Sequence, residues 1–198
     1  MSSGLVRIFI IEDSDVTRSA LRAILGQEAE FQLVGEAVDG KTAVSRLLAS
    51  KADVALVDIG LPGANGIEVT KEFKKKAPHI KALMFTSNND DRLMLESFAG
   101  GADGYMVKDG FDRAQLATAI KSVIQGKCWL DPDIANRILK FAKLFNQPVP
   151  ASVAAARPTP LTAQEEQVLK SAGKTDGVCP VQPEFLTRLQ RFSQIDEK

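Results

Sequence analysis

The first 126 residues predict an α/β domain built on a five-stranded, parallel, doubly wound sheet with helices on both faces. Short apolar runs alternate with longer stretches of helical period from residue 5 to about 126, the pattern of repeated strand–helix pairs. The runs are continuous and not alternating, as expected for strands covered on both sides. Breakers fall where the helices must stop, at Pro78, Gly100, Gly101 and Gly126.

Each element has its own justification. The first strand is Leu5 to Ile11, and a helix follows a Ser14 cap with Ala20, Leu21, Ile24 and Leu25 on its core face. The second strand is Phe31 to Ala37, followed after Asp39 by a helix whose core face holds Val44, Leu47 and Leu48. Val54 to Val57 is the third strand, with a helix from Gly66 to about Lys76. Ile80 to Phe85 is the fourth, with a helix from about Asp90 to Ala99, and Tyr105 to Val107 is the fifth, with a helix from Asp112 to about Gln125.

Beyond Gly126 the segment CWLDPDIANRILKFAKLF reads as an amphipathic linker helix, with Pro132 in its first turn and Ile134, Ile138, Leu139 and Phe141 or Ala142 as its stripe. Residues 146–160 hold four prolines among small residues, a composition that extends a chain. The expected organisation is a domain over 1–126, a linker helix and Pro-rich linker over 127–160, and a small α-helical tail over 161–198.

Composition bounds the function. Lys plus Arg and Asp plus Glu each total 25 in 198 residues, so no global field draws the chain to nucleic acid or anionic lipid. The opening MSSGLVRIFIIEDS is neither a signal peptide nor a membrane span, and a soluble, cytoplasmic protein with no membrane partner is expected. Cys128 and Cys179 lie far apart without CxxC spacing, and the single histidine, His79, sits in a Pro-containing connection. Neither zinc nor redox chemistry is suggested.

Ligands of open parallel sheets bind beyond the carboxyl ends of the strands. There the sequence places Glu12 and Asp13 after the first strand, Asp58 after the third, Thr86 at the end of the fourth and Lys108 after the fifth. Crowded carboxylates repel unless a cation sits among them, and a hard, oxygen-rich site suits magnesium. A phosphoryl acceptor needs the same arrangement, with a metal on one side and an ammonium and a hydroxyl on the other. The intervals of 45 residues from Asp13 to Asp58, 28 from Asp58 to Thr86 and 50 from Asp58 to Lys108 put all five groups on one rim.

Through IIEDS, LVDIGLPGANGIEV, MFTS and GADGYMVKD, in this order and at these intervals, the chain resembles the receiver domains of two-component response regulators. The resemblance covers about the first 126 residues and implies a flavodoxin-like receiver sheet. It implies Asp58 as phosphoacceptor, Mg2+ held by Glu12, Asp13, Asp58 and the backbone carbonyl of Gly60, Thr86 and Lys108 on the phosphoryl oxygens, and Tyr105 as an aromatic switch residue. Glu12 followed by Asp13 replaces the two aspartates of many receivers. The implied partners are a cognate histidine kinase and a second copy of the chain in a homodimer, and the implied catalysis is at most slow self-phosphorylation and self-dephosphorylation.

YMVKDG, GKCWLDP and LTAQEEQVLKSAGK resemble the NarL/FixJ group, which couples a receiver to a LuxR-type helix-turn-helix. The tail departs from it. Only 38 residues follow from Leu161 on, Pro180 and Pro183 interrupt the expected second helix, and five Lys and Arg face six Asp and Glu. A shortened or degenerate helix-turn-helix is expected, with little electrostatic footing for DNA and no identifiable base-reading residues. Self-association or partner binding is the expected output, and a DNA-binding transcriptional regulator is the alternative.

Enzyme readings fit less well. The IEDSDVT loop would repel a flavin phosphate. A dehalogenase-like phosphohydrolase needs a second aspartate two residues after its nucleophile, where this chain has Gly60.

Overall fold

The computed structural model describes residues 4–87, 90–131 and 134–137. Its elements in chain order are β1 (Val6–Ile11), α1 (Asp15–Leu25), β2 (Phe31–Ala37), α2 (Gly40–Ser50), β3 (Val54–Val57), α3 (Gly66–Lys76), β4 (Lys81–Thr86), α4 (Asp91–Ala99), β5 (Gly104–Val107), α5 (Arg113–Ile124) and β6 (Trp129–Leu130). The strands form one sheet in the order β2-β1-β3-β4-β5-β6, and all five pairings are parallel. The predicted α/β, doubly wound architecture is therefore present, with one short strand more than expected.

That strand corrects the sequence reading. Trp129 and Leu130 pair with Gly104 and Tyr105, just ahead of the expected linker helix, where no strand was predicted. Two residues are too few to show a strand period, and Pro132 favours a helical reading of its neighbours. The compact unit that holds the sheet runs to Asp131. Residues 134–137 are helical, in keeping with a linker helix. Its continuation, the Pro-rich linker, Cys179 and the tail over 161–198 lie outside the described residues.

The helices start where short polar side chains replace the missing backbone partners. Ser14 Oγ accepts from the Thr17 amide, Asp39 from Thr42, Asn65 from Ile67 and Asp90 from Arg92. Asp112 and Gln115 form a reciprocal capping box at the start of α5. One sheet face carries Ile8, Ile10, Leu56, Leu83, Phe85 and Met106 in a single core with Leu21 and Leu25 of α1 and Leu116, Ile120 and Val123 of α5. Across the sheet, Thr70 of α3 donates to Met84 Sδ at 3.6 Å and Phe98 of α4 meets Tyr105.

The phase of two helices differs from expectation. Ala20 is exposed and Ile24 only half-buried, while Arg18, Leu21 and Leu25 form the buried row of α1. Leu48 is exposed at 36% although Val44 and Leu47 are buried. Among the described residues, no helix is long and apolar enough to cross a membrane.

Candidate functional site: an acidic rim at the carboxyl edge of the sheet

The strand order places β3 between β1 and β4. The chain winds from β1 outward to β2 and returns to β3 on the other side, so the switch point of the sheet lies between β1 and β3. In register, Ile11 pairs with Val57 and Val57 with Met84. The residues that follow Ile11 and Val57 therefore emerge together, and they are Glu12, Asp13 and Asp58.

Backbone bonds hold these ends. The Asp58 amide donates to Ile11 O at 2.8 Å, the Glu12 amide to Ala37 O at 3.0 Å and the Lys108 amide to Thr86 O at 2.9 Å. Behind Asp58, the Gly66 amide donates to Ile59 O at 3.0 Å. Here α3 passes so close that a Cβ on Gly66 would stand 1.9 Å from the Asp58 carbonyl oxygen. Glycine at 66 is thus a condition for the position of Asp58.

The side chains converge. One carboxylate oxygen from each of Glu12, Asp13 and Asp58 lies within 4.8 Å of the others. Glu12 and Asp58 are buried, at 2% and 7% exposure, while Asp13 is exposed. Lys108 reaches across β4 from β5, a span of two strand spacings of about 4.8 Å each. Its Nζ lies 2.6 Å from Glu12 Oε2 and 3.1 Å from Asp58 Oδ1, with the Phe85 ring centroid at 5.8 Å.

Burial pushes the Glu12 carboxyl above its ordinary value; Lys108 opposes that rise and the neighbouring charge of Asp58 adds to it. Asp58 Oδ1 is inaccessible and accepts no hydrogen bond; Lys108 neutralises it by proximity without hydrogen-bond geometry. A buried carboxylate oxygen without a hydrogen bond is costly. Together with two further oxygen donors of like charge, it forms a donor set that fits a hard divalent cation.

The other predicted residues fall around this cluster. Gly60 is adjacent, its Cβ direction 3.5 Å from Asp58 Oδ2. Thr86 is buried at the end of β4, on the strand that separates β3 from β5. Tyr105 lies within β5. Its ring is fully buried beside Phe98, with centroids 6.3 Å apart, so an inward turn of this residue has no exposed starting position in this conformation.

Sequence reasoning missed Arg18. Its guanidinium is buried and donates from Nη1 to the carbonyls of Glu12 and Asp13, each at 2.8 Å. The available signal was an arginine in register with Leu21 and Leu25 on an amphipathic helix, a position normally apolar.

Residues 8–121 match the response regulator receiver domain family. The chain belongs to that family. It is 36% identical over 135 residues to the DNA-binding transcriptional activator DevR/DosR of Mycobacterium tuberculosis, a match covering 68% of this chain and 62% of the relative. It is 30% identical over 170 residues to the transcriptional regulatory protein YdfI of Bacillus subtilis, covering 85% of this chain and 75% of that protein. Among solved structures, a two-component response regulator of the LuxR family from Aurantimonas sp. SI85-9A1 superposes with a TM-score of 0.67 at 28% identity, covering 71% of this chain and 99% of that one. By their names the two sequence relatives are transcriptional regulators, and the solved structure is a response regulator of the LuxR family.

Proposed function

We infer that this response regulator accepts a phosphoryl group on Asp58 and uses it to switch self-association or partner binding. The observation that carries the reading is the buried Asp58 oxygen without a hydrogen bond, flanked by the Glu12 and Asp13 carboxylates and held beside the Lys108 ammonium. A carboxylate oxygen of Asp58 attacks phosphorus as the bond to the donor, a phosphohistidine of a cognate histidine kinase or a small acyl phosphate, breaks in line. An aspartyl phosphate forms, and the leaving group departs with the donor.

Mg2+ fits the donor set of Glu12, Asp13, Asp58 and the Gly60 carbonyl, and when bound it supplies positive charge to the phosphoryl oxygens. Lys108 holds charge on the other side. Freed from Asp58 by the modification, its ammonium pairs with a phosphoryl oxygen, and Thr86, at the end of the intervening strand, donates its hydroxyl to another. Displacement of Thr86 and Lys108 biases β4 and β5, and Tyr105 on β5 responds from its buried position. The reported change is in a pre-existing equilibrium of the α4–β5–α5 face, with a homodimer as its product. Hydrolysis of the aspartyl phosphate is slow and is the only catalysis assigned. The cytoplasm, where phosphodonors and kinases meet, is the proposed location.

A second reading is a DNA-binding transcriptional regulator under the same control. It is favoured by the match to YdfI, which takes in 85% of this chain and so reaches beyond the receiver. Incubation with acetyl phosphate and magnesium tests the first step: wild type takes up one phosphoryl group and Asp58→Asn none. Uptake by Asp58→Asn equal to wild type would end the assignment.

A further inference from the structure

The geometry points to Arg18 as a positioning residue for the acidic loop, one that orients Glu12 and Asp13 through their backbone carbonyls and so sets the affinity of the site for a divalent cation. This rests on the reading of Glu12, Asp13 and Asp58 as a cation site. A buried guanidinium is costly unless its charge is matched and its donors are used. Both conditions are met here in a way that spares the carboxylates of the site. Nη1 donates to the carbonyl oxygens of Glu12 and Asp13 at 2.8 Å each. Nη2 bonds the exposed carboxylate of Asp15, and Nε lies 3.7 Å from Glu36 Oε2. Glu36 is itself fixed by Arg22, at 2.5 and 2.9 Å.

The positive charge of Arg18 is therefore balanced by Asp15 and Glu36. The two residues it orients contribute only neutral carbonyls to it, and Arg18 takes none of their carboxylate oxygens.

The carbonyl bonds have a further consequence for Glu12. A trans peptide points its N–H opposite to its C=O. With the Asp13 carbonyl turned to Arg18, the Ser14 amide points the other way, and it donates to Glu12 Oε1 at 3.2 Å. The amide of Glu12 is tied to Ala37 O and its carbonyl to Arg18, so both sides of this residue are fixed. A lysine in place of Arg18 could carry the charge but not the fork, which reaches two carbonyls and two carboxylates at once.

The test is calorimetric titration of the full chain with Mg2+ alone, paired with the Mg2+ dependence of acetyl phosphate labelling, for wild type, Arg18→Met, Arg18→Lys, Asp15→Asn and Asp13→Asn. Arg18→Met should weaken Mg2+ about tenfold and raise the half-saturating Mg2+ for labelling by a similar factor, while saturating Mg2+ restores the rate. Arg18→Lys should recover part of the affinity, and Asp13→Asn should abolish the titration. An Arg18→Met protein that melts earlier but binds Mg2+ as wild type does would overturn the inference, because a purely structural arginine predicts that result. If Arg18→Met does not fold, Asp15→Asn carries the test from the exposed side: a smaller loss of affinity at unchanged melting temperature supports the inference, and unchanged affinity overturns it. A wild-type chain that takes up no Mg2+ would overturn the cation-site reading itself, a failure distinguishable from that of Arg18.

Discussion

Gly66→Ala is the perturbation with the most direct consequence for the site. A Cβ at this position would stand 1.9 Å from the Asp58 carbonyl oxygen, 2.8 Å from its carbon and 3.0 Å from Ile59 Cα, whereas real Cβ contacts stay beyond 3.0 Å. All three obstacles are backbone, so no rotamer change relieves them. Either α3 or the end of β3 must retreat by about 1 Å, and overpacking of this kind costs roughly 1–3 kcal/mol. In a domain of this size that lowers the melting temperature by about 4–12 °C. A shift of about 1 Å at a reacting group costs on the order of a hundredfold in rate, so labelling of Asp58 by acetyl phosphate should fall far more than stability does. Gly4→Ala is the control, because its Cβ would meet nothing within 4 Å; it should label at a rate near that of wild type. Thermal melts and labelling time courses on the three proteins are sufficient. A Gly66→Ala chain with wild-type melting and wild-type labelling would refute the claim that α3 fixes the phosphoacceptor through this contact.

Lys108→Ala should raise the Glu12 midpoint further above its ordinary value, since the ammonium is the main group opposing the effect of burial; carbon-detected NMR titration reads it, and a fall would contradict the pairing. Asp53 is held below its ordinary value of 3.8, first by the hydrogen bond from the Arg7 side chain. Its folded value thus lies below its unfolded one, and its contribution to stability is present above the unfolded value and lost as pH falls through the folded one. Asp53→Asn should flatten urea-measured stability against pH below about 4, and an unchanged slope would exclude the pair as a source of acid sensitivity. Asp112→Ala removes the capping box of α5 and should cost about 1 kcal/mol with labelling intact; loss of labelling in a folded protein would contradict a purely local role. Duplex DNA titrated at moderate salt should bind the chain weakly, given the tail's excess of acid, and sequence-selective binding enhanced by phosphorylation would favour the transcriptional reading.

Most of the sheet was legible because buried parallel strands leave unbroken apolar runs, and β2 and β3 begin and end where those runs do. The discrepancies have local causes. Ile80 is apolar and buried, but its amide donates to Ala77 O in a turn, so β4 starts at Lys81. Gly104 carries no side chain to mark it, yet it pairs with both Leu83 and Trp129. The convergence of Glu12, Asp13, Asp58 and Lys108 was also legible, since strand ends in such a sheet must share one edge. Arg18 and Gly66 were not recognised, because each acts through backbone. A buried guanidinium on two carbonyls and a missing Cβ leave no cluster of chemically matched side chains in the sequence, only an arginine on an apolar stripe and a glycine opening a helix.

The central claim is that Asp58 is the residue modified. Borohydride reduction of the acetyl phosphate-treated, magnesium-loaded chain, followed by peptide mass spectrometry, converts an aspartyl phosphate to homoserine and identifies its position. Homoserine at position 58 alone, absent when magnesium is chelated, is the predicted result. Homoserine at position 13 with Asp58 intact, or a stable phosphate ester on Thr86, would contradict it.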